Sequence, residues 1–300
     1  MTSDIGWELY RSFLGVLREG SLSGAARALG VAQPTVGRHI AALEKALGLA
    51  LFTRSPTGLL PTDSALALQS HAEAMASTAA ALARTAASQG DGVRGVVRIT
   101  ASDVIGVEVL PAIVGRLRAE HRDLKIELVL TNKVQDLLRR EADIAVRMTP
   151  PRQETLVARR IGQIELGLHA TRQYLVRYGT PRSIAELEQH SIIGFDQPNA
   201  FIRGVSKSLP TYGRELFSLR TDSDLAQLAM IRSGAGIGMC QVPLARRDAT
   251  LVRVLPRQVS LPLETWVTLH EDLRNRPSCR VTFEALVAGL TQHVTSGKER

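Results

Sequence analysis

Residues 21–54 read SLSGAARALGVAQPTVGRHIAALEKALGLALFTR, and the spacing of their apolar residues decides the fold of the N-terminal part of the chain. From Ala32 to Leu47, the residues Val36, Ile40, Leu43 and Leu47 step by four, three and four, the period of one buried helix face. At about 100° per residue, Thr35, Arg38, Ala42 and Lys45 fall on the opposite face, with His39 on its flank. Ahead of this helix, Ser23 as an N-cap opens a shorter one that buries Ala25, Ala26 and Leu29, and Gly30-Val31 makes the turn. Further upstream, Leu9, Phe13, Val16 and Leu17 predict an amphipathic helix from Trp7 to Glu19, ended by Gly20. A short helix, a glycine turn and a helix with a small, polar and basic outer face have the pattern of a helix-turn-helix. A helix of this width enters the DNA major groove, where Arg grips guanine O6 and N7 and Thr meets a thymine methyl. The same spacing also describes an ordinary three-helix lobe with a solvated outer face.

Outward from this stretch, residues 48–62 predict a β-hairpin or wing. Leu51-Phe52 pack back on the lobe, Ser55-Pro56-Thr57-Gly58 turn, and Arg54 lies within reach of a phosphate or the minor groove. Residues 63–88 predict one Ala-rich helix of ~39 Å. In it Ala65, Leu68, Ala72, Met75, Ala79, Leu82 and Ala86 form a heptad seam, whose natural cover is a second copy of the chain, with packing on the chain's own body as the alternative. Ser88-Gln89-Gly90-Asp91-Gly92 breaks the helix as a hinge. Strands and helices then alternate. Val96–Thr100, Lys125–Leu130, Asp143–Met148 and Leu156–Ile161 read as strands, with helices at Val107–His121 and Val134–Glu141. The pattern restarts with strands at Glu165–Ala170, Ile192–Phe195, Leu216–Arg220, Gly236–Cys240 and Thr265–His270, and helices at Asp222–Ser233 and Ser278–His293. This predicts an α/β fold with a mainly parallel sheet in two subdomains, with a ligand cleft at the strand C-terminal ends between them.

Composition narrows the function. The 300 residues suffice for about two domains, and no uncharged apolar run is long enough to span a membrane. The start of the chain carries Asp4 and Glu8 and no secretory pattern, and Cys240 and Cys279 form neither a disulfide framework nor a metal knuckle. A reducing, cytoplasmic setting is expected, with no cofactor and no metal. The net charge of +8 invites a nucleic-acid partner, yet residues 1–60 hold only +2 of it and residues 96–300 hold +7. Arg outnumbers Lys 32 to 5, a composition that tracks a GC-rich genome. Enzyme signatures are missing: there is no GxSxG elbow, no GxxxxGK[ST] phosphate loop and no HExxH helix. Gly234-x-Gly236-x-Gly238 precedes a strand instead of opening a helix after one, so it is not a nucleotide fingerprint. A two-lobed small-molecule-binding protein without transcriptional output is the alternative, but it has no use for residues 7–60.

Residues 21–54 resemble the N-terminal signature of the LysR-type transcriptional regulators. Ala25-Ala26, Gln33-Pro34, Ile40, Leu43-Glu44, Leu47-Gly48, Leu51-Phe52 and Arg54 fall where that signature expects them. Leu110-Pro111, Ala142-Asp143-Ile144-Ala145, Gly234-Ala235-Gly236-Ile237-Gly238 and Val242-Pro243 resemble the family's two-lobed effector domain. Three positions depart from the pattern. Gly37 stands where the family usually has Ser, Ala32 replaces the usual Ser at the start of the helix, and Thr62-Asp63-Ser64-Ala65 replaces Thr followed by a small residue and Gly.

The resemblance implies a winged helix-turn-helix at residues 1–62, a linker and dimerisation helix with hinge at 63–92, and a periplasmic-binding-protein-like α/β effector domain at 93–300. In the last, lobe I takes residues 93–162 plus 266–300 and lobe II residues 163–265. It implies a homodimer through the linker helix, commonly paired into a homotetramer, on double-stranded promoter DNA, with a small-molecule effector between the lobes and RNA polymerase as a further partner. DNA contacts are then expected from Gln33, Pro34, Thr35, Arg38, His39, Lys45 and Arg54. Strand ends and the resemblance together nominate Thr100, Ser102, Asp103, Thr131, Phe195 and Ser223 for the effector, with Arg147 and Arg203 as positive charges. Asp103 works against an anionic ligand.

Overall fold

The structure is a computed structural model that describes residues 5–56, 58–87, 92–132, 142–151, 156–197, 203–204, 209 and 212–296. The described chain divides into two compact units, one ending at Ala86 and the other made of the residues that follow.

The first unit opens with α1 (Trp7–Glu19), which stops where Gly20 takes the left-handed conformation (φ 65°) and donates to Val16 O. Next come α2 (Leu22–Leu29), capped at its C-terminus by left-handed Gly30, and α3 (Gln33–Leu47). The N-cap of α2 is Ser21 instead of Ser23: Ser21 is extended (φ −155°) and its Oγ accepts from Gly24 N–H at 3.1 Å, whereas Ser23 already sits in the first turn. Ala32 caps α3 by backbone alone, as its methyl side chain dictates, and Pro34 occupies the first turn, where a missing N–H is harmless. Phe13, Val16, Ala25, Val36, Ile40, Leu43 and Leu51 form the core. The wing is an antiparallel pair, β1 (Phe52–Ser55) and β2 (Gly58–Pro61), with Phe52 opposite Pro61 and Ser55 opposite Gly58. Thr57 of the expected turn lies outside the described residues.

The linker helix is α4 (Asp63–Ala87). Thr62 caps it by accepting from Ala65 N–H at 3.2 Å and ties it down by donating to Ala50 O at 2.8 Å, so the unusual Thr62-Asp63-Ser64-Ala65 start still works as a cap. The heptad seam divides in two. Ala65, Leu68 and Ala72 pack into the core of their own unit, while Met75 (41% exposed) and Leu82 (65%) face outward. The expected continuous seam is therefore corrected for its proximal half, which the lobe of the same chain covers; the distal half is exposed. Of the expected hinge, residues 88–91 lie outside the described residues.

In the second unit a nine-stranded sheet runs β4-β3-β5-β11-β6-β9-β7-β8, with β10 paired to β6. One half contains β3 (Gly95–Ala101), α5 (Asp103–Glu108), α6 (Leu110–Glu120), β4 (Leu124–Leu130) and β5 (Ile144–Arg147). The other contains α7 (Arg172–Tyr178), β7 (Ile192–Gly194), β8 (Leu219–Arg220), α8 (Asp224–Arg232), β9 (Ile237–Gln241), α9 (Val242–Ala245) and β10 (Leu251–Val254). Two long strands, β6 (Leu156–Thr171) and β11 (Leu261–His270), run antiparallel and serve both halves, and α10 (Pro277–Thr295) returns to pack on the first.

Several expectations change here. Leu156–Ile161 and Glu165–Ala170 are one strand, because Gly162 (φ 147°) carries the chain through the irregularity opposite Thr265 without ending the ladder. The expected helix Val107–His121 begins earlier, at Asp103, and is broken at Val109, because Pro111 lacks an N–H and its ring collides with the carbonyl four residues back. Parallel pairing joins β3 to β4 and β5, and β7 to β8 and β9, but the shared strands pair antiparallel, so the sheet is mixed. The expected helix Val134–Glu141 lies outside the described residues. Among the described residues no helix is long and apolar enough to cross a membrane.

Candidate nucleic-acid interface and ligand cleft

On α3 the buried side (Val36, Ile40, Leu43) anchors the helix, and the other side presents Gln33, Pro34, Arg38 and Lys45 to solvent, with Thr35 half-buried. Arg38 reaches Thr35 Oγ1 only at 3.5 Å, too far to hold the guanidinium in place. His39 differs from these. It is half-buried, and its Nδ1 shares a 2.8 Å hydrogen bond with the hydroxyl of buried Ser12, so one ring nitrogen is committed to fastening α3 to α1. Gly37 is not required by space: an added Cβ would meet only Leu22 Cδ1, at 3.7 Å.

The wing is positioned by two devices that local periodicity does not reveal. Glu44 Oε1 accepts from the N–H groups of Leu51 (2.7 Å) and Phe52 (3.3 Å), clamping the start of β1 to α3. Leu59 N–H donates to Gly20 O at 2.8 Å, which brings Gly58 so close that a Cβ there would lie 2.5 Å from that oxygen. Arg54 stands exposed on the strand so fixed. The basic side chains of α3 and the wing are thus held from rigid elements of one unit, as groove and backbone contacts require.

In the second unit the strand ends bring some candidates together. Thr100 is fully buried, and its hydroxyl accepts from Arg147 Nη2 at 2.7 Å. Arg147 also donates to Val146 O at 3.0 Å, and burial lowers its pKa. Ser102 is the N-cap of α5 without a side-chain cap bond, and Asp103 follows it. Thr131 N–H donates to Ala101 O at 2.9 Å, which holds the end of β4 beside that of β3. Ser223 caps α8 by accepting from Ala226 N–H at 3.2 Å. Phe195, by contrast, packs against the core of the second half, and Arg203 is an exposed residue between stretches outside the described residues.

Two residues that sequence reasoning passed over join the halves. Asn132 Nδ2 donates to Asp103 Oδ2 (3.1 Å) and, on the other half, to Asp224 Oδ2 (2.6 Å), while Asp103 N–H donates to Asn132 Oδ1 (3.1 Å). Burial pushes the Asp224 carboxyl up to about 6, with the Asp103 charge adding and the Asn132 bond opposing. Farther along the same helices, Arg232 grips Glu108 through both carboxylate oxygens (2.6 and 2.9 Å) and holds its pKa below the usual range. Exposure of this pair limits it to about 1 kcal/mol. Arg247 adds a bond to Glu108 O and meets His293, which burial pushes down to about 4. Asn132 and Asp224 each sit one residue past a nominated position, and their pairing arises only when the halves meet. Both cysteines are buried, and burial raises the Cys240 thiol to about 12, leaving it inert near neutral pH.

Known proteins match both units. Residues 7–66 match the family described as bacterial regulatory helix-turn-helix protein, lysR family, and residues 90–291 match the LysR substrate binding domain. An HTH-type transcriptional regulator of Xanthomonas campestris pv. campestris is 29% identical over 190 residues, 63% of this chain and 55% of that protein. The matched chain thus spans about half the length of that relative. The full-length structure of the Vibrio cholerae virulence activator AphB is similar with a TM-score of 0.62 at 21% identity, covering 94% of this chain and 99% of that one. Full-length CbnR, in complex with its target DNA, gives 0.65 at 19% identity, covering 97% and 99%. At these identities the two structures share the fold with this chain.

Proposed function

Because the chain belongs to the LysR family of bacterial transcriptional regulators, we propose that it binds promoter DNA sequence-specifically and changes transcription when a small molecule enters the cleft. The observation that carries this reading is the outer face of α3, where Thr35, Arg38 and Lys45 lie together on a helix anchored by Val36, Ile40 and Leu43. Gln33 and Pro34 at the helix start border the same surface. His39 helps to position the helix, and Arg54 of the wing meets the phosphate backbone.

Two copies joined through the outward Met75 and Leu82 of α4 would present two such helices to half-sites about one DNA turn apart. A second pairing gives a tetramer, and RNA polymerase is the downstream partner. The work is regulatory and not enzymatic, and DNA as a ligand sets it in the cytoplasm. The effector lies at the strand ends between the halves, near Ser102, Asp103, Thr131, Arg147 and Ser223. There it changes the relation of the halves and so the DNA-bound assembly.

Arg38→Ala is expected to cost about 1–3 kcal/mol at a specific site and to relax its sequence preference. Arg54→Ala should weaken binding evenly across sequences and reduce the salt dependence by about one counterion. Titrations by fluorescence anisotropy over a salt series check both. If both variants bind like the parent, the assignment of this face to DNA is wrong.

A further inference from the structure

The two halves of the second unit meet along α5 and α8, and the two ends of that contact are electrostatically opposite. At the far end unlike charges pair, Glu108 with Arg232. At the near end like charges face: Asp103 on α5 and Asp224 on α8 converge on one amide nitrogen, that of Asn132. One amide group supplies one N–H to each carboxylate but no counter-charge, so the near end closes against a repulsion that the far end does not have. The geometry points to a proton site at this junction: one proton shared by Asp103 and Asp224 lets the two halves close, and its release drives them apart, with no effector required.

The chemistry of the pair supports that coupling. A protonated Asp224 carries an O–H that donates to the Asp103 carboxylate, so one proton turns repulsion into a hydrogen bond. When the halves separate, Asp224 becomes a solvated carboxylate in the first turn of α8, where the helix dipole favours its charged form. Its affinity for a proton is therefore high closed and ordinary open.

The elements packed against α8 are α5, β6, β7 and β9. They carry Asp103 and Glu108 on α5, Arg159, Arg160, Glu165 and His169 on β6, no titratable side chain on β7, and Cys240 on β9. Of these, the Asp103 charge is the one that acts on Asp224. Glu108 is held below its usual range, burial lowers His169 and His293 to about 4 and raises Cys240 to about 12, so the proton that this contact exchanges between pH 5 and 7.5 belongs to the Asp103–Asp224 junction. The sign follows from linkage. The closed form binds the proton more tightly, so the proton's contribution to closure is full below about the ordinary 3.8, falls as pH rises, and is gone above about 6. The gap between about 6 and the ordinary 3.8 sets the full change in the closed-to-open ratio at on the order of 100-fold.

The experiment uses the full chain with fluorophores on Glu120→Cys in the first half and Val176→Cys in the second, both exposed, while the native cysteines are buried. Labelled chain is diluted with unlabelled chain, so that energy transfer reports one molecule. Transfer should be higher at about pH 5 than at about pH 7.5, by a closed-to-open ratio about tenfold greater, with the fall largely complete just above pH 6. Asp224→Asn, neutral at every pH, should stay high throughout. If that variant does not fold, Asp103→Asn carries the same test, because removing the facing charge should move the fall to lower pH. Transfer that does not change between the two pH values, that changes in the opposite direction, or that titrates in Asp224→Asn as in the parent overturns the proposal. DNA binding plays no part in the readout, so the outcome is separate from that of the proposed function.

Discussion

Phe13→Ala is expected to remove about 3–5 kcal/mol from the first unit, the cost of deleting a fully buried ring that its neighbours cannot close over. The ring is 1% exposed and sits among Val16, Val36, Leu43 and Leu51, with the Phe52 ring tilted against it at 5.8 Å. It thus joins α1, α3 and the wing at one point, the three elements whose mutual placement the DNA reading needs. A unit of this size holds on the order of 5–10 kcal/mol, so the variant keeps little margin. Urea unfolding followed by Trp7 fluorescence, in a Trp266→Phe background, should show a large fall in midpoint and a loss of DNA affinity in step with the unfolded fraction. A loss under about 1 kcal/mol would mean that this ring is not the centre of the core.

The second large effect is expected at Gly236. A Cβ there would lie 2.3 Å from Ser191 O, a backbone atom that also accepts from Ile237 N–H at 2.9 Å. No side-chain rotation relieves such a contact, so Gly236→Ala must push β9 away from the segment leading into β7. Overpacking together with a weakened ladder bond costs about 2–4 kcal/mol, or roughly 5–15 °C in the melting temperature. Gly115→Ala is the control, since a Cβ on α6 meets nothing within 4 Å and should be neutral or raise stability by up to about 1 kcal/mol. Equal melting temperatures for the two variants would contradict the close approach. The glycines at 234 and 238 have their own reasons, a left-handed turn (φ 77°) and contact with Ile231, so the whole run serves packing.

These examples show where the sequence was readable. Helix periodicity placed α1, α2 and α3 to within a residue or two, because each buries a single face against one small core. It misjudged what chemistry at the termini decides: Ser21 and Ser23 look alike until the backbone of one is extended. In the second unit strand positions were legible but not strand direction, since apolar runs read alike whichever way their neighbour points. Leu156–Ile161 and Glu165–Ala170 read as two strands, because the antiparallel partner that carries the chain past Gly162 lies about a hundred residues away. The exposed side of α3 was visible because a helix face is a local property, whereas the tie from His39 to Ser12 on α1 was not. The cleft was visible only as strand ends. Asn132 and Asp224 acquire their roles from an approach between residues 92 positions apart, which no local pattern encodes.

Sequence-specific binding to promoter DNA is decided by measuring affinity for the promoter regions flanking the protein's own gene against random duplex of equal length, at physiological salt. A specific site should be bound at least about a thousandfold more tightly, with footprints on two half-sites about one helical turn apart. Equal affinity for the promoter and the random duplex would contradict it.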